Sequence, residues 1–201
     1  MAVPAGLTTD GYEIQFGTNH MGHAAILKLV LPLMLRTAEQ PSSDVRFVSV
    51  TSQGYGGHPR GGIVFDELRS AGADSFISGW VLYGQSKLAN ILLAREVARR
   101  HPAILTTAIH PGVVKTELVT GLRPAHRALV YATNPFSILQ PEEGAYNCLW
   151  AATAPRDGIE SGKYYEPVGA KKSGIRKFND DGTLAAKLWE WTKEELKDFG
   201  N

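Results

Sequence analysis

Tyr83 and Lys87 stand four positions apart in the stretch WVLYGQSKLANILLAREVARR, residues 80–100. On a helix, positions i and i+4 lie on one face, one above the other. Helix geometry alone therefore sets a phenol beside an ammonium. A free tyrosine has a pKa of about 10 and stays protonated at neutral pH. A cation about 4 Å away, at an effective dielectric of about 20, favours the phenolate by up to roughly 4 kcal/mol. That ceiling is about three pKa units. A phenol tuned in this way exchanges a proton with a substrate oxygen near pH 7. The plain alternative is a solvated helix face, because Tyr-x-x-x-Lys alone is a weak motif.

Three further residues have types and positions that bear on such chemistry. Ser52 follows VRFVSVT, residues 45–51, a β-branched and aromatic run that is apolar on both faces. Such a run predicts a strand buried in a parallel sheet, and open α/β sheets place ligands at the carboxyl ends of their strands. A serine there is also an ordinary turn residue. Thr116 follows a second apolar strand, residues 104–109, and the break His110-Pro111-Gly112. It can point a hydroxyl and a backbone N–H into the same crevice, or cap a helix, or both. Asn19 lies on a stripe of Tyr12, Phe16, His23, Ile26, Val30 and Met34 at spacings of three and four. An amide on an apolar helix face needs a partner, and neighbouring backbone would satisfy it. His20 and His23 sit one turn apart, but no cluster of Cys, His or carboxylates completes a metal site around them.

The elements that must position these groups follow from pattern. Thr8, Thr9 and Asp10 predict a helix start. Residues 53–62, QGYGGHPRGG, are glycine-rich but lack the Gly-x-Gly-x-x-Gly spacing of a dinucleotide loop. Pro59 and a strand-like Ile63-Val64-Phe65 follow, so a mobile loop is expected. The Tyr83 helix runs to about Arg100. Residues 120–139 are apolar with scattered Arg and Pro, which suits a short helical lid over a lipophilic ligand or an oligomer contact. Pro141-Glu142-Glu143 opens another helix, with proline in the first turn and acids at the positive dipole end. Residues 162–167 predict a short strand and Asp180-Asp181-Gly182 a turn. Residues 184–199 predict a closing amphipathic helix with Leu188, Trp191 and Leu196 inward. Alternating helices and strands imply an α/β fold with a parallel sheet.

Bulk properties narrow the function classes. The 201 residues suffice for one domain with a real core. A net charge of +1 gives no basic surface for nucleic acid, so none is expected as a partner. The single cysteine, Cys148, excludes an internal disulfide and fits a reducing compartment. Residues 1–11 have no basic n-region and little apolar character, so no secretory signal is expected there. The apolar run 24–35 contains Lys28 and Pro32 and is too short to span a bilayer. The expected location is the cytoplasm, with peripheral membrane association as the variant.

Taken together these motifs resemble the short-chain dehydrogenase/reductases, closest to the retinol-dehydrogenase-like and WW-domain-oxidoreductase-like branch with its fungal members. The matching text is Asn19 within GTNHMGH, Ser52 within VSVTSQGY, Tyr83 and Lys87 within YGQSKLANILLAREVARR, HPGVVKT, and the closing SGKYYEP and LWEWTKEEL. The resemblance covers essentially the whole chain as a single domain, residues 1–201. It implies a three-layer Rossmann-like parallel sheet. It implies Tyr83 as general acid/base, Ser52 as hydrogen-bond partner of the reacting oxygen, and Lys87 as the group that lowers the tyrosine pKa and holds the nicotinamide ribose. It places Asn19 in a water relay to that lysine, and Val114 and Thr116 among the cofactor contacts with Tyr83 and Lys87. The implied cofactor is NADP or NAD, and the implied substrate is a small carbonyl or alcohol, which the apolar segment 120–139 suggests is lipophilic. A homo-oligomer through the Asn19 and Tyr83 helices is also expected.

The family's opening strand, glycine-rich turn and helix, and its Asn-Asn-Ala-Gly strand, have no counterpart in these 201 residues. The expectation is an N-terminally truncated fold, with an apolar strand exposed at the sheet edge and no phosphate cradle. The chain alone should then bind NAD(P) weakly or not at all. Three functions stay open: an NAD(P)-dependent oxidoreductase, a cofactor-free acid/base enzyme for isomerisation, dehydration or cyclisation, and a non-catalytic partner.

Overall fold

The computed structural model of the chain describes residues 1–135, 137–172 and 182–200. Its frame is a four-stranded sheet in the order β1-β2-β5-β6. Strands β1 (Arg46–Val50), β2 (Leu105–Ile109) and β5 (Lys163–Glu166) run parallel, and β6 (Ala170–Lys172) turns back antiparallel on β5. The register pairs Val50 with Ile109 and Ile109 with Tyr165, so β1, β2 and β5 end at one level. All five residues of β2 are buried, as expected for a strand covered on both faces.

Helices α2 (Gly22–Ala38), α3 (Phe76–Arg100) and α8 (Thr183–Glu195) cover one face. Phe16, Leu27, Leu88, Leu92, Val97 and Leu188 form the core there. Helix α7 (Tyr146–Thr153) covers the other, where Leu105, Ile109, Ala151, Ile159 and Tyr165 pack together. The three layers are those expected, but the sheet is mixed. β1 is its edge strand, with Val50 45 % exposed, so β1 is not the fully buried strand that its composition suggests. It is the exposed apolar edge that the family resemblance implies.

Helix α3 carries the Tyr83–Lys87 pair, and its ends show why it is long and fixed. Ser75 and Ser78 form a reciprocal capping box at its start, four residues before the expected onset. Arg99 and Arg100 occupy the last turn and bond the buried Glu96 carboxylate at 2.6 and 2.7 Å. Residues 53–57 are a 3₁₀ turn rather than a loose loop. The turn seats on α3 at Gly84, where an added Cβ would come within 2.7 Å of the Gly57 carbonyl carbon. Ile63-Val64-Phe65 is not a strand, since Phe65–Glu67 is a second 3₁₀ turn.

The N-terminal helix departs most from its pattern. Its cap is Glu13, whose carboxylate accepts from Gln15 and Phe16 backbone N–H groups, not the Thr8–Asp10 segment. After α1 (Ile14–Phe16) the chain makes a π-helical turn, Gly17–Met21. A π turn inserts one extra residue into the helix. The inward stripe therefore slips, and Met21, Ala24, Ala25 and Leu27 are buried while Ile26 is 60 % exposed. The stripe through His23, Ile26 and Val30 lies outward for that reason. The helical run Ile14–Ala38 is 25 residues long and holds an 18-residue window of mean hydropathy 1.3, long and apolar enough by length and composition alone to cross a membrane. That corrects the shorter span read from residues 24–35.

Beyond β2, the short strands β3 (Val113–Val114) and β4 (Ile138–Leu139) pair in parallel around helices α4 (Glu117–Thr120) and α5 (Pro124–Thr133). The expected lid is thus helical in its middle and pinned at both ends by strand pairing. The helix opened by Pro141 breaks at Ala145 into α6 (Pro141–Gly144) and α7. The turn expected at Asp180-Asp181-Gly182 falls, apart from Gly182, outside the described residues.

Candidate active site

The carboxyl ends of β1 and β2, the middle of α3, and the β3–α5 segment enclose a cleft of about 630 Å³. Asn19, Ser52, Tyr83, Lys87, Val114 and Thr116 all line it. The six residues singled out from sequence are therefore brought to one place.

Each is held by a local cause. Ser52 caps the 3₁₀ turn, its Oγ accepting from Gly54 N at 3.1 Å, so it is a turn residue and a cleft residue at once. Tyr83 is buried, and its phenol lies within hydrogen-bonding reach of the Ser52 hydroxyl. Gly54 makes that approach possible. A Cβ there would stand 2.8 Å from Tyr83 Cε1 and 3.3 Å from Ser52 Oγ. Strand β1 is stapled to α3 beside Lys87. Thr51 Oγ1 donates to the Lys87 carbonyl at 2.6 Å, Thr51 N donates to the Ile109 carbonyl at 2.8 Å, and Ser49 Oγ donates to the Asn90 carbonyl at 3.2 Å. Ser49 and Thr51 were hidden in sequence because each reads as an ordinary strand residue.

Asn19 sits in the π-helical turn and donates through Nδ2 to Ser86 Oγ at 3.0 Å. Ser86 Oγ in turn donates to the Tyr83 carbonyl at 2.8 Å. Asn19 is satisfied by a side chain one step from Tyr83 rather than by neighbouring backbone. Thr116 takes the N-cap position of α4 without a capping bond from its side chain, which leaves its hydroxyl at the cleft.

The electrostatics correct one expectation. Lys87 Nζ stands 5.9 Å from the centre of the Tyr83 ring. Burial pushes the Tyr83 phenol above its ordinary value, against the opposing hydrogen bond from Ser52. The net shift is opposite to the one expected from the Tyr83–Lys87 spacing, because desolvation of a buried phenol disfavours its charged form. Lys87 itself is pushed down to about 8 by burial. Of its three donors, one reaches a protein acceptor among the described residues, the Val50 carbonyl at 3.4 Å.

Sequence reasoning passed over two cleft residues. His110 is buried and pushed down to about 4 by burial, with Glu166 acting against that shift. It is a neutral imidazole at pH 7, and Asn147 Nδ2 holds its carbonyl at 2.7 Å. Trp80 lines the cleft and meets the Tyr83 ring edge-on, with centroids 6.1 Å apart at 82°. Its position three residues before Tyr83, nearly one helical turn, was the available signal. No group of three or more His, Cys, Asp or Glu side chains able to hold a metal occurs among the described residues.

A second depression, about 640 Å³, lies between α2, α3 and α8. Leu27, Leu31, Pro32, Leu35, Leu93 and Trp189 wall it.

No family model matches the chain. Curated proteins do. The short-chain dehydrogenase/reductase drtF of Aspergillus calidoustus is 34 % identical over 212 residues, covering 98 % of this chain and 65 % of that protein. Human retinol dehydrogenase 14 is 34 % identical over 192 residues, covering 91 % of this chain and 52 % of that protein. Among solved structures, an uncharacterized protein from Mycobacterium paratuberculosis superposes with a TM-score of 0.67 at 30 % identity, covering 98 % of this chain and 63 % of that one. The chain spans less than two thirds of each of the three.

Proposed function

We propose, from the similarity of the chain to curated short-chain dehydrogenase/reductases, that it belongs to that family and that the protein carrying it interconverts a carbonyl and an alcohol using a nicotinamide dinucleotide. The observation that carries this reading is the buried Tyr83 phenol in reach of the Ser52 hydroxyl, with Lys87 one helical turn further along the same cleft.

The residues fit the nicotinamide end of such a cofactor. A half-buried ammonium with donors to spare and a cleft-facing β3 edge supply a positive, partly apolar seat. When bound, the reduced nicotinamide supplies a hydride to the carbonyl carbon. Tyr83 donates its phenolic proton to the carbonyl oxygen as the C=O π pair moves onto that oxygen. Ser52 hydrogen-bonds the same oxygen and holds it against the phenol. Lys87 balances the phenolate left behind, and Asn19 starts the path that returns a proton from solvent. A phenol held above its ordinary range is protonated at neutral pH, the form that donates to a carbonyl oxygen. In oxidation the same groups run in reverse.

The substrate is lipophilic in this reading, because Leu118 and Leu129 expose 56 % and 38 % of their surface at the cleft. The sequence has no Gly-x-Gly-x-x-Gly cradle for a pyrophosphate. Calorimetry of the 201-residue polypeptide with NADPH is therefore expected to show weak binding or none.

The test is spectrophotometric, following NADPH consumption with a panel of ketones and aldehydes in the protein that carries this chain. Tyr83→Phe should lower turnover by about 10²- to 10⁴-fold with a far-UV spectrum like that of the wild type. Turnover unchanged in that variant removes Tyr83 from the reaction. Turnover that continues without nicotinamide and dies in Tyr83→Phe replaces the redox reading with cofactor-free acid/base chemistry.

A further inference from the structure

Helix α5 closes the cleft through Leu129 and Val130, and one contact holds its start against α3. His126, in the first turn of α5, is buried. Its imidazole stacks on Phe76 with ring centroids 4.3 Å apart and planes 3° from parallel. On its other side, Trp80 Nε1–H donates to His126 Nδ1 at 2.8 Å. An indole N–H is a donor only, so Nδ1 must be the bare nitrogen and the ring proton must sit on Nε2. The hydrogen bond thus fixes both the tautomer of His126 and the orientation of Trp80. Trp80 is the link between this contact and the chemistry, because its ring also meets Tyr83 edge-on.

We propose that His126 positions Trp80 as a rigid aromatic wall, and that the pair selects substrates whose carbonyl or alcohol carbon carries a flat aromatic or conjugated group. This rests on the oxidoreductase reading above for the identity of the reacting group, but the selection itself is a binding property. An indole free to rotate would accommodate branched and flat groups alike. An indole held by a hydrogen bond on one edge and a phenol on another presents a fixed surface, and offset stacking rewards a flat partner. Val119 and Val130, both buried, complete an apolar surround at that end of the cleft. The hydrogen bond and ring contacts of His126 run to Trp80 and Phe76. It is a positioning residue that acts through Trp80.

The test separates this proposal from the redox reading by measuring binding without turnover. The probes are 2-acetylnaphthalene, which is flat, and 3,3-dimethyl-2-butanone, which is branched. Indole N–H resonances are followed by ¹H–¹⁵N NMR in the protein labelled at tryptophan. In the wild type the naphthyl ketone should shift the Trp80 signal and bind about tenfold tighter than the branched ketone, near the upper end for one stacked aromatic pair. His126→Phe keeps the ring stacked on Phe76 and deletes the acceptor. It should move the free-state Trp80 signal and reduce the preference to about threefold or less. His126→Asn, which returns an acceptor near the place of Nδ1, should restore it. Trp80→Phe supplies the same loss of preference should His126→Phe fail to fold. An unaltered preference in both His126→Phe and Trp80→Phe overturns the proposal. Retained preference in a protein that never turns over any ketone leaves the selection standing and defeats the oxidoreductase reading instead.

Discussion

Two depressions of nearly equal size, about 630 and 640 Å³, mark opposite kinds of surface in this protein. The first lies where β1 and β2 end, and its floor holds Ser52, Tyr83, Lys87 and His110. The second lies between α2, α3 and α8, and its polar groups serve the helices themselves. Lys28 Nζ there donates to the Leu196 and Phe199 carbonyls at 2.7 Å each, closing the end of α8. In the first depression the buried polar groups face each other across open space. In the second, Lys28 is spent on backbone carbonyls, and Glu190, Glu194 and Lys197 are spent on side-chain ion pairs. Volume does not tell these apart. The disposition of donors and acceptors does, because strand ends leave side chains without secondary-structure partners whereas packed helices consume theirs.

Each depression also has one buried neutral histidine behind it, and acid is the harshest way to compare them. His20, bonded through Nε2 to Thr192 Oγ1 at 2.9 Å, is pushed down to about 3, first by burial and then by His23. His110 is pushed down to about 4. Both lie below the ordinary histidine value of about 6.5, so each gains a proton on unfolding once the pH drops below it. Their contribution to stability is whole above pH 6.5 and is lost as pH falls toward 4 and then 3. Chemical denaturation at pH 7 and pH 4.5 should differ by roughly 5 kcal/mol, two pH units at about 1.4 kcal/mol for each histidine. His20→Gln should halve that slope. A stability flat across this window would show that neither ring is held neutral by the fold.

Leu27→Ala in the second depression should cost about 2–5 kcal/mol of stability, since a buried leucine is lost from the core. Turnover of the folded fraction should not change. A fall in turnover at constant stability would make that depression functional and erase the contrast. Lys87→Met tests the same contrast from the other side. It should lower turnover about 10²-fold while the melting temperature holds or rises, because burial of the ammonium is unfavourable in the folded state. A large loss of stability would mean that Lys87 is a structural residue.

Four residues of the first depression were legible in sequence because each occupies a position that geometry makes special. Ser52 and Thr116 follow strands, and Tyr83 and Lys87 share a helix face. Much of their support was not legible. Ser49 and Thr51 bond α3 backbone from positions that resemble any β-branched strand. Gly54 and Gly84 matter through what stands opposite them, 30 residues apart in the chain. The electrostatic expectation for Tyr83 failed because four-residue spacing fixes which face two side chains share, but not how deeply the phenol is buried. The stripe on α2 failed at the π turn, where one added residue changed the phase of everything after it. No periodicity rule anticipates such an insertion. The fold class was plain from the alternation of elements and the three layers followed from the family resemblance, whereas the antiparallel β6 and the β3–β4 pair were too short to leave a pattern.

A double-mutant cycle on turnover probes the reaction centre most directly. Ser52→Ala, Tyr83→Phe and the double variant are assayed beside the wild type with NADPH and one reducible ketone. If the serine acts only by holding the substrate oxygen for the tyrosine's proton, the double variant should be no slower than Tyr83→Phe alone, within about threefold. Losses that multiply, with Ser52→Ala slowing the Tyr83→Phe protein as much as it slows the wild type, would mean that the two hydroxyls do not serve one oxygen in one cleft.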